Sequence, residues 1–349
     1  MRTRLTSALG AAALASLLLA ACGGAQDQDA QRQDQAGTAA GAAGQADPEL
    51  PAGWQYVAGE ADFDALTADP ALPVTVTDGT GTEVEVTDVS RIIVAGDGIA
   101  STLGALGLAD HIHAAPEEST SPEGLAAPEH FRFNRDTGTE GLLAMDGTLF
   151  IGDNTARHGD VAQQFRDAGT AAVVVDDQQS QLDKLRAVAE YIGDAAAGEE
   201  LVAAVEADLQ EARDIAAASQ GEDLRVIQVT ATGAGGQNSV AGTGVPGTEL
   251  IEELGYTSVG VESGLRGFSR EFSNEGILAA EPDLILLAES DYERWGGEDG
   301  LWEAFPTLQQ TPAGEEHRVF VMPDAQLRYS SPDLGAGAKA LAEAVAQLS

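Results

Sequence analysis

Residues 133–151 and 268–286 carry one pattern of reactive side chains twice. Phe133, Arg135, Asp136, Glu140 and Gly141 recur as Phe268, Arg270, Glu271, Glu275 and Gly276, each 135 residues further on and without a gap. An aromatic ring two residues before an arginine suits a flat ligand with acid groups. The ring offers a stacking face and the guanidinium a fork matched to a carboxylate. The glutamate that follows is favourable against the helix dipole where a helix starts. The period far exceeds the roughly 20–50 residues of solenoid repeats. It is a domain length, so two similar lobes face each other across a cleft.

The elements that must hold these residues read as α/β. Val74–Thr77, Arg91–Ala95, Leu149–Gly152, Ala172–Val175, Arg225–Val229, Leu284–Ala288 and Val319–Met322 are short Val/Ile-rich runs, predicted as strands. Helical periods fall between them at Ile99–Leu106, Asp160–Ala168, Thr248–Leu254 and Ala336–Leu348. Such alternation predicts parallel sheets covered by helices, with ligands at the carboxyl ends of the strands. Ser180–Tyr191 and Glu199–Ala218 are helical stretches separated by Gly193 and Gly198. The second predicts a helix of about 30 Å, a stiff link that permits only modest closure. The expected fold is two Rossmann-like α/β lobes joined by a single long helix, with the ligand cleft between the lobes. The expected boundaries are a leader at 1–21, a tether at 22–50, a first lobe at 51–180, linker helices at 181–221 and a second lobe at 222–349.

The leader begins with Arg2 and Arg4, continues as an apolar run to Ala21 and ends at Cys22, the sole cysteine. That layout is a secretory signal, and a cysteine directly after small residues points to lipidation there. A lone cysteine forms no internal disulfide, so the fold rests on its core. Gly23 to Asp47 holds no bulky apolar residue and reads as a polar tether. The chain carries 18 basic and 57 acidic residues, a net charge of −39. Nucleic acid is excluded as a partner, since binding it needs a basic surface. The acidity reads as a solvated shell suited to high salt; the other reading is an acidic face for a cationic partner.

Leader, tether, lobe, long helix and second lobe together resemble an ABC-transporter solute-binding lipoprotein of the helix-linked group for haem, ferric siderophores and corrinoids. The chain is most similar to the haem-transport members. Arg91–Leu108 is similar to that family's first strand and helix, Thr311–Met322 to its C-terminal haem-transport segment, and the repeat to its Tyr-x-Arg-(x)4-Glu-Gly-x-Leu-Ala motif. The resemblance spans about residues 74–349. It implies an extracytoplasmic, monomeric receptor held to the membrane through lipidated Cys22. It also implies an ABC permease dimer with its ATPase as partners and a small iron-containing molecule as ligand. There is no resident cofactor, because haem or a ferric complex is the transported ligand. Glu140 and Glu275 fall at the positions that dock to permease arginines. Ferric-siderophore or corrinoid binding, and a haem-binding surface receptor without a permease, are the alternatives.

The chain departs from the motif where the family supplies a tyrosine to iron. Phe133 and Phe268 stand there and have no lone pair for a metal; Arg135 and Arg270 remain for carboxylates. His130, His158, Tyr292 and Tyr329 are candidate replacement ligands, with His130 preferred as the metal ligand. Trp295 and Trp302 either wall the pocket or pack in the core. The loop Gly233–Asn238 is expected beside the ligand; it lacks the Gly-Lys-Ser/Thr ending of a phosphate-binding loop. Neither His-Glu-x-x-His nor Gly-x-Ser-x-Gly occurs, and no enzymatic activity is expected.

Overall fold

The computed structural model of the chain describes residues 48–61, 65–132, 139–219, 224–231, 238–268 and 270–348. The leader, Cys22 and the tether to residue 47 lie outside the described residues. So do Phe133, Arg135 and all of the Gly233 loop except Asn238.

The chain enters through β1 (Gln55–Tyr56) and a hairpin of β2 (Val74–Thr77) and β3 (Glu83–Val86). It then builds a parallel sheet from β4 (Ile92–Ala95), β5 (Ile112–Pro116), β6 (Glu129–Phe131), β7 (Leu149–Gly152) and β8 (Ala171–Val174), in the order β6-β5-β4-β7-β8. Alternate side chains serve opposite faces. Ile92, Val94, Leu149 and Ile151 pack under helices Asp97–Ala105 and Gln181–Tyr191. Ile93, Ala95 and Phe150 pack with Leu142 and Phe165 on the other side. Burial on both faces explains why these strands read as continuous apolar runs.

The second lobe repeats the plan. Its strands are β9 (Arg225–Gln228), β10 (Ser239–Val240), β11 (Thr257–Ser258), β12 (Arg270–Glu271), β13 (Leu284–Ala288) and β14 (Val319–Met322). The parallel sheet has the order β1-β14-β13-β9-β11. In the first lobe β4 is central, with β5 and β6 on one side and β7 and β8 on the other; in the second, β9 has β11 on one side and β13, β14 and β1 on the other. That reversal of strand order creates a ligand-binding crevice at the carboxyl edge. The repeat is in register with it, since Leu149 opens β7 and Leu284 opens β13.

Helix Ala195–Ala218 joins the lobes. The Asp194 side chain caps it, accepting from the Ala197 N–H at 3.0 Å, and Gly193 turns the chain before it at φ 86°. Gly198 does not break the helix as expected. It lies in the first turns, where an added Cβ would sit 2.6 Å from the Ala189 Cβ of the neighbouring helix; its role is close packing.

Three expectations are corrected. The first lobe does not begin at residue 51: β1 pairs with β14 at Phe320 and Val321, and Trp54 and Val57 are buried in second-lobe cores. The tether ends before residue 50, because Leu50 packs on that same lobe. Val74–Thr77 is an antiparallel hairpin strand outside the parallel sheet.

Asp78, at the hairpin turn, secures the hairpin to the first lobe. Its carboxylate is fully buried and lies 3.2 Å from Arg166 Nη1. It also accepts from the N–H groups of Thr80, Thr82 and Val174. Removing it strands a guanidinium and three backbone donors. Asp78→Ala is expected to cost about 3–5 kcal/mol, and Asp78→Asn less because an acceptor oxygen remains. Urea denaturation of the purified variants measures both; a cost under about 1 kcal/mol for Asp78→Ala would remove this anchor from the account.

Candidate ligand-binding cleft

A cavity of about 670 Å³ lies between the lobes, within the roughly 300–1,000 Å³ of small-molecule sites. The first lobe contributes the start of helix Asp97–Ala105 after β4, Asp153 to Arg157 after β7, and Val175 to Gln179 after β8. All follow carboxyl ends of strands. The second lobe contributes Thr243 to Pro246, Arg266 to Phe268, Arg270, and Arg328 to Ser330.

Gln181, buried on helix Gln181–Tyr191, ties the floor together. Its Nε2 donates to Glu249 of the second lobe at 2.8 Å, and its Oε1 accepts from the hydroxyl of Ser330. Ser330 also lies close against Gly98, where any Cβ would collide with its carbonyl. The lobes therefore meet through short polar contacts beneath the cavity.

The walls are electrostatically unlike the rest of the chain. Among the described residues nine basic side chains are ion-paired, including Arg91, Arg166, Arg213, Arg225 and Lys339. Arg157, Lys184, Arg266, Arg270 and Arg294 have no ion pair among those residues. The first four line the cavity. In a chain of net charge −39, four cations with no ion pair among the described residues stand on one cavity beside the acids Asp153, Asp177 and Glu249, a wall that can meet an anion. The acids beside them are engaged. Burial pushes Asp177 up, but hydrogen bonds from Thr155 and Gln178 outweigh it and hold the carboxyl below its usual value.

Phe268 forms part of the wall, and the Arg328 guanidinium carbon lies 4.6 Å from its ring centroid. Arg328 is itself fixed. Its Nη1 is 2.7 Å from the buried carboxylate of Asp291, which also accepts from the Ala231 N–H at 2.9 Å. A charge held against one face of the ring makes Phe268 a pinned platform.

The other expected site residues separate. Arg270 and Tyr329 line the cavity with Phe268. The Tyr329 phenol is driven well above its usual range, chiefly by burial and then by Asp97 of the first lobe, which opposes a phenolate. His130 is not a cavity residue: it is exposed on edge strand β6, its Nε2 3.1 Å from the Gly124 carbonyl. No cluster of three or more metal-ligating side chains occurs among the described residues, so the preferred ligand His130 stands without supporting donors. Tyr292 is also away from the cavity lining. Its ring centroid lies 5.7 Å from that of Trp54, and its hydroxyl donates to the Glu49 carbonyl. Trp302 packs edge-on to Trp54 and Trp295 to Phe305, so both indoles serve the second-lobe core. His158 is buried behind β7, its Nδ1 accepting from the Asp153 N–H. Phe133 and Arg135 lie outside the described residues. Glu140 and Glu275 are exposed in the first turns of helices Thr139–Leu143 and Asn274–Ala280.

Arg157, Lys184, Arg266 and Arg328 were not singled out in the sequence. Arg266 sits two residues before the repeated aromatic, and Lys184 is one of two lysines in the chain. Those were the available signals; for Arg157 there was none.

A cleft between two parallel-sheet lobes on one rigid helix, lined by unpaired cations, defines a solute receptor. The periplasmic binding protein family model matches residues 92–326, and the chain belongs to that family. Its members are extracytoplasmic solute-binding proteins that work with an ABC permease, and they are not enzymes. Among solved structures, the chain is similar to the heme-binding protein HmuT, at 28% identity and a TM-score of 0.70, covering 83% of this chain and 97% of that one. It is also similar to the apo form of the periplasmic heme-binding protein RhuT from Roseiflexus sp. RS-1, at 28% identity and a TM-score of 0.65, covering 74% and 99%. The periplasmic heme-binding protein BhuT, in complex with two hemes, matches at 26% identity and a TM-score of 0.62, covering 74% and 98%. A search of curated protein sequences finds no match.

Lys184 gives the cleft a pH signature. Burial lowers its pKa from the ordinary value, and the surrounding Glu249, Asp177, Asp153 and Asp176 only partly offset that. A lysine whose folded pKa is depressed stabilises the fold least while charged, and the penalty is relieved as pH rises through the depressed value. Lys184→Met is therefore expected to be more stable than the wild type at pH 7, with the gap closing as pH approaches 10.5. Thermal melts across that range read it; a gap that is constant with pH would contradict the assignment.

Proposed function

We propose that the protein is the substrate-binding component of an ABC importer for haem or a closely related iron tetrapyrrole, anchored to the cell membrane through lipidated Cys22. In this reading it works as a monomer and delivers its ligand to a permease dimer powered by an ATPase. The observation that carries the proposal is the interlobe cavity, with Phe268 pinned on Arg328 and unpaired cations on both walls. A flat macrocycle stacks on the ring and its propionates pair with the cations. The similarity to HmuT, RhuT and BhuT supports the same choice of ligand. Haem is then cargo and no resident cofactor is required.

The glutamates support delivery. Glu140 and Glu275 are exposed on equivalent helices of the two lobes, each anchored by a buried neighbour, Leu142 or Ile277. An arginine pair on a permease would read both lobes at once. Signal processing at 1–21 and the tether from Cys22 complete the proposal and rest on the sequence.

A ferric siderophore or corrinoid is the second reading. It is favoured by phenylalanine at both motif positions, since such ligands bring their own metal donors. Titration with haemin, a ferric siderophore and cobalamin, read by absorbance and tryptophan quenching, separates the two. Tight siderophore binding with no spectral response to haemin would reject the haem proposal.

For docking, Glu140→Ala and Glu275→Ala are each expected to reduce uptake by about tenfold or more while solution affinity stays within about twofold, because an exposed carboxylate contributes little until it is buried against a partner. Uptake assays in cells paired with solution titrations check this; binding weakened more than about tenfold would reassign the glutamates to the ligand site.

A further inference from the structure

Two facts about the cleft do not follow from haem transport alone. Cations with no ion pair among the described residues stand on both walls beside the acids Asp153, Asp177 and Glu249: Arg157 and Lys184 from the first lobe, and Arg266 and Arg270 from the second. The donors available to a metal are also sparse. The chain has five histidines, five tyrosines and one cysteine. Residues 133–138 and 232–237 contain none of the three types. His111 and His113 sit against the carbonyls of Val89 and Met145, at the edge of the first-lobe sheet away from the cavity. His317 packs against Gly53 just before β14, again at the far edge of its sheet. Of the tyrosines, only Tyr329 lines the cavity, and it is buried there beside Ser101 and Thr120.

Resting on the tetrapyrrole reading above, we propose that the cleft selects its ligand by carboxylates gripped from both lobes and is indifferent to the metal. Its ligand class is a tetrapyrrole with acid groups around the ring, bound with or without iron, and Arg157, Lys184 and Arg266 read the acids. The argument is geometric and electrostatic. Two propionates on one edge of a macrocycle satisfy part of the cation set and leave the opposite wall unpaired. Four carboxylates spread around the ring satisfy both walls and draw the lobes onto the ligand. Phe268 contributes a stacking face that is the same for a free base and a metal complex. With phenylalanine at both motif positions, iron adds no protein bond to the free energy of binding.

The test uses the purified protein and five probes: coproporphyrin III, its ferric complex, protoporphyrin IX, haemin and protoporphyrin dimethyl ester. Tryptophan quenching and absorbance report affinity. The expected result is that each ferric form binds within about threefold of its metal-free partner, while the tetracarboxylates exceed the dicarboxylates by about tenfold and the ester falls below both. Arg157→Gln, Lys184→Gln and Arg266→Gln should each weaken the acids by about three- to tenfold and leave the ester unchanged.

A ferric form more than about tenfold tighter than its free base, with a charge-transfer band lost in Tyr329→Phe, would overturn the proposal by showing that the metal is read. Equal affinity for acids and ester would overturn it from the other side. If none of the five binds and a ferric siderophore does, the tetrapyrrole reading itself fails and takes this inference with it.

Discussion

Helix Ala195–Ala218 belongs to two hydrophobic cores, and the geometry of the cleft depends on that sharing. Ala197 and Leu201 are buried in the first-lobe core. Val202, Val205, Leu209, Ala212 and Ala216 are buried in the second. The preceding helix does the same, with Leu185 in one core and Val188 and Tyr191 in the other. Swinging the lobes apart would strip these side chains from one core, at roughly 1.5–3 kcal/mol for each large apolar residue. The wide hinge motion available to lobes joined by extended strands is thereby closed off. A cleft of nearly fixed width suits a rigid ligand, and preorganisation spares the ordering cost of binding.

Charge works against the same constraint and locally reverses it. At −39 the chain repels itself and any anion that approaches. Most described cations are spent as ion pairs with neighbouring acids, such as Arg213 between Glu206 and Glu253. Two of the acids beside Lys184 accept hydrogen bonds from neutral groups. Glu249 takes Gln181 and Asp177 takes Thr155. Those donors satisfy the carboxylates without consuming the cations. An anionic ligand meets cations inside the cleft, where screening by salt is weaker than at the surface.

The two lobes share a plan but not an edge. Leu149 and Leu284 begin matching strands, and Leu142 and Ile277 fill matching core positions beneath Glu140 and Glu275. β6 joins the first-lobe sheet, whereas β12 leaves its sheet and pairs with β10. The second lobe recruits β1 at its other edge instead.

The sequence by itself determined the period, the class of fold, the long helix and the exposed glutamates. Each is a local or periodic property: a 135-residue repeat, Val/Ile runs between helical periods, and a helical apolar stripe over Glu199–Ala218. It missed β5, whose Ile-His-Ala-Ala-Pro composition has weak strand propensity and becomes a strand only through pairing with β4 and β6. It also missed β1, two residues that become a strand by pairing with β14, far along the chain. The site was half legible. Phe268, Arg270 and Tyr329 reach the cavity, while Tyr292 and His130 do not, because a loop position says which edge of a sheet a residue follows but not which way it turns. The cations with no ion pair were beyond the sequence altogether. Whether an arginine is paired depends on which of 57 acids folding brings within about 4 Å, and that is decided by tertiary packing, where residues as distant as Arg157 and Arg266 come to wall one cavity.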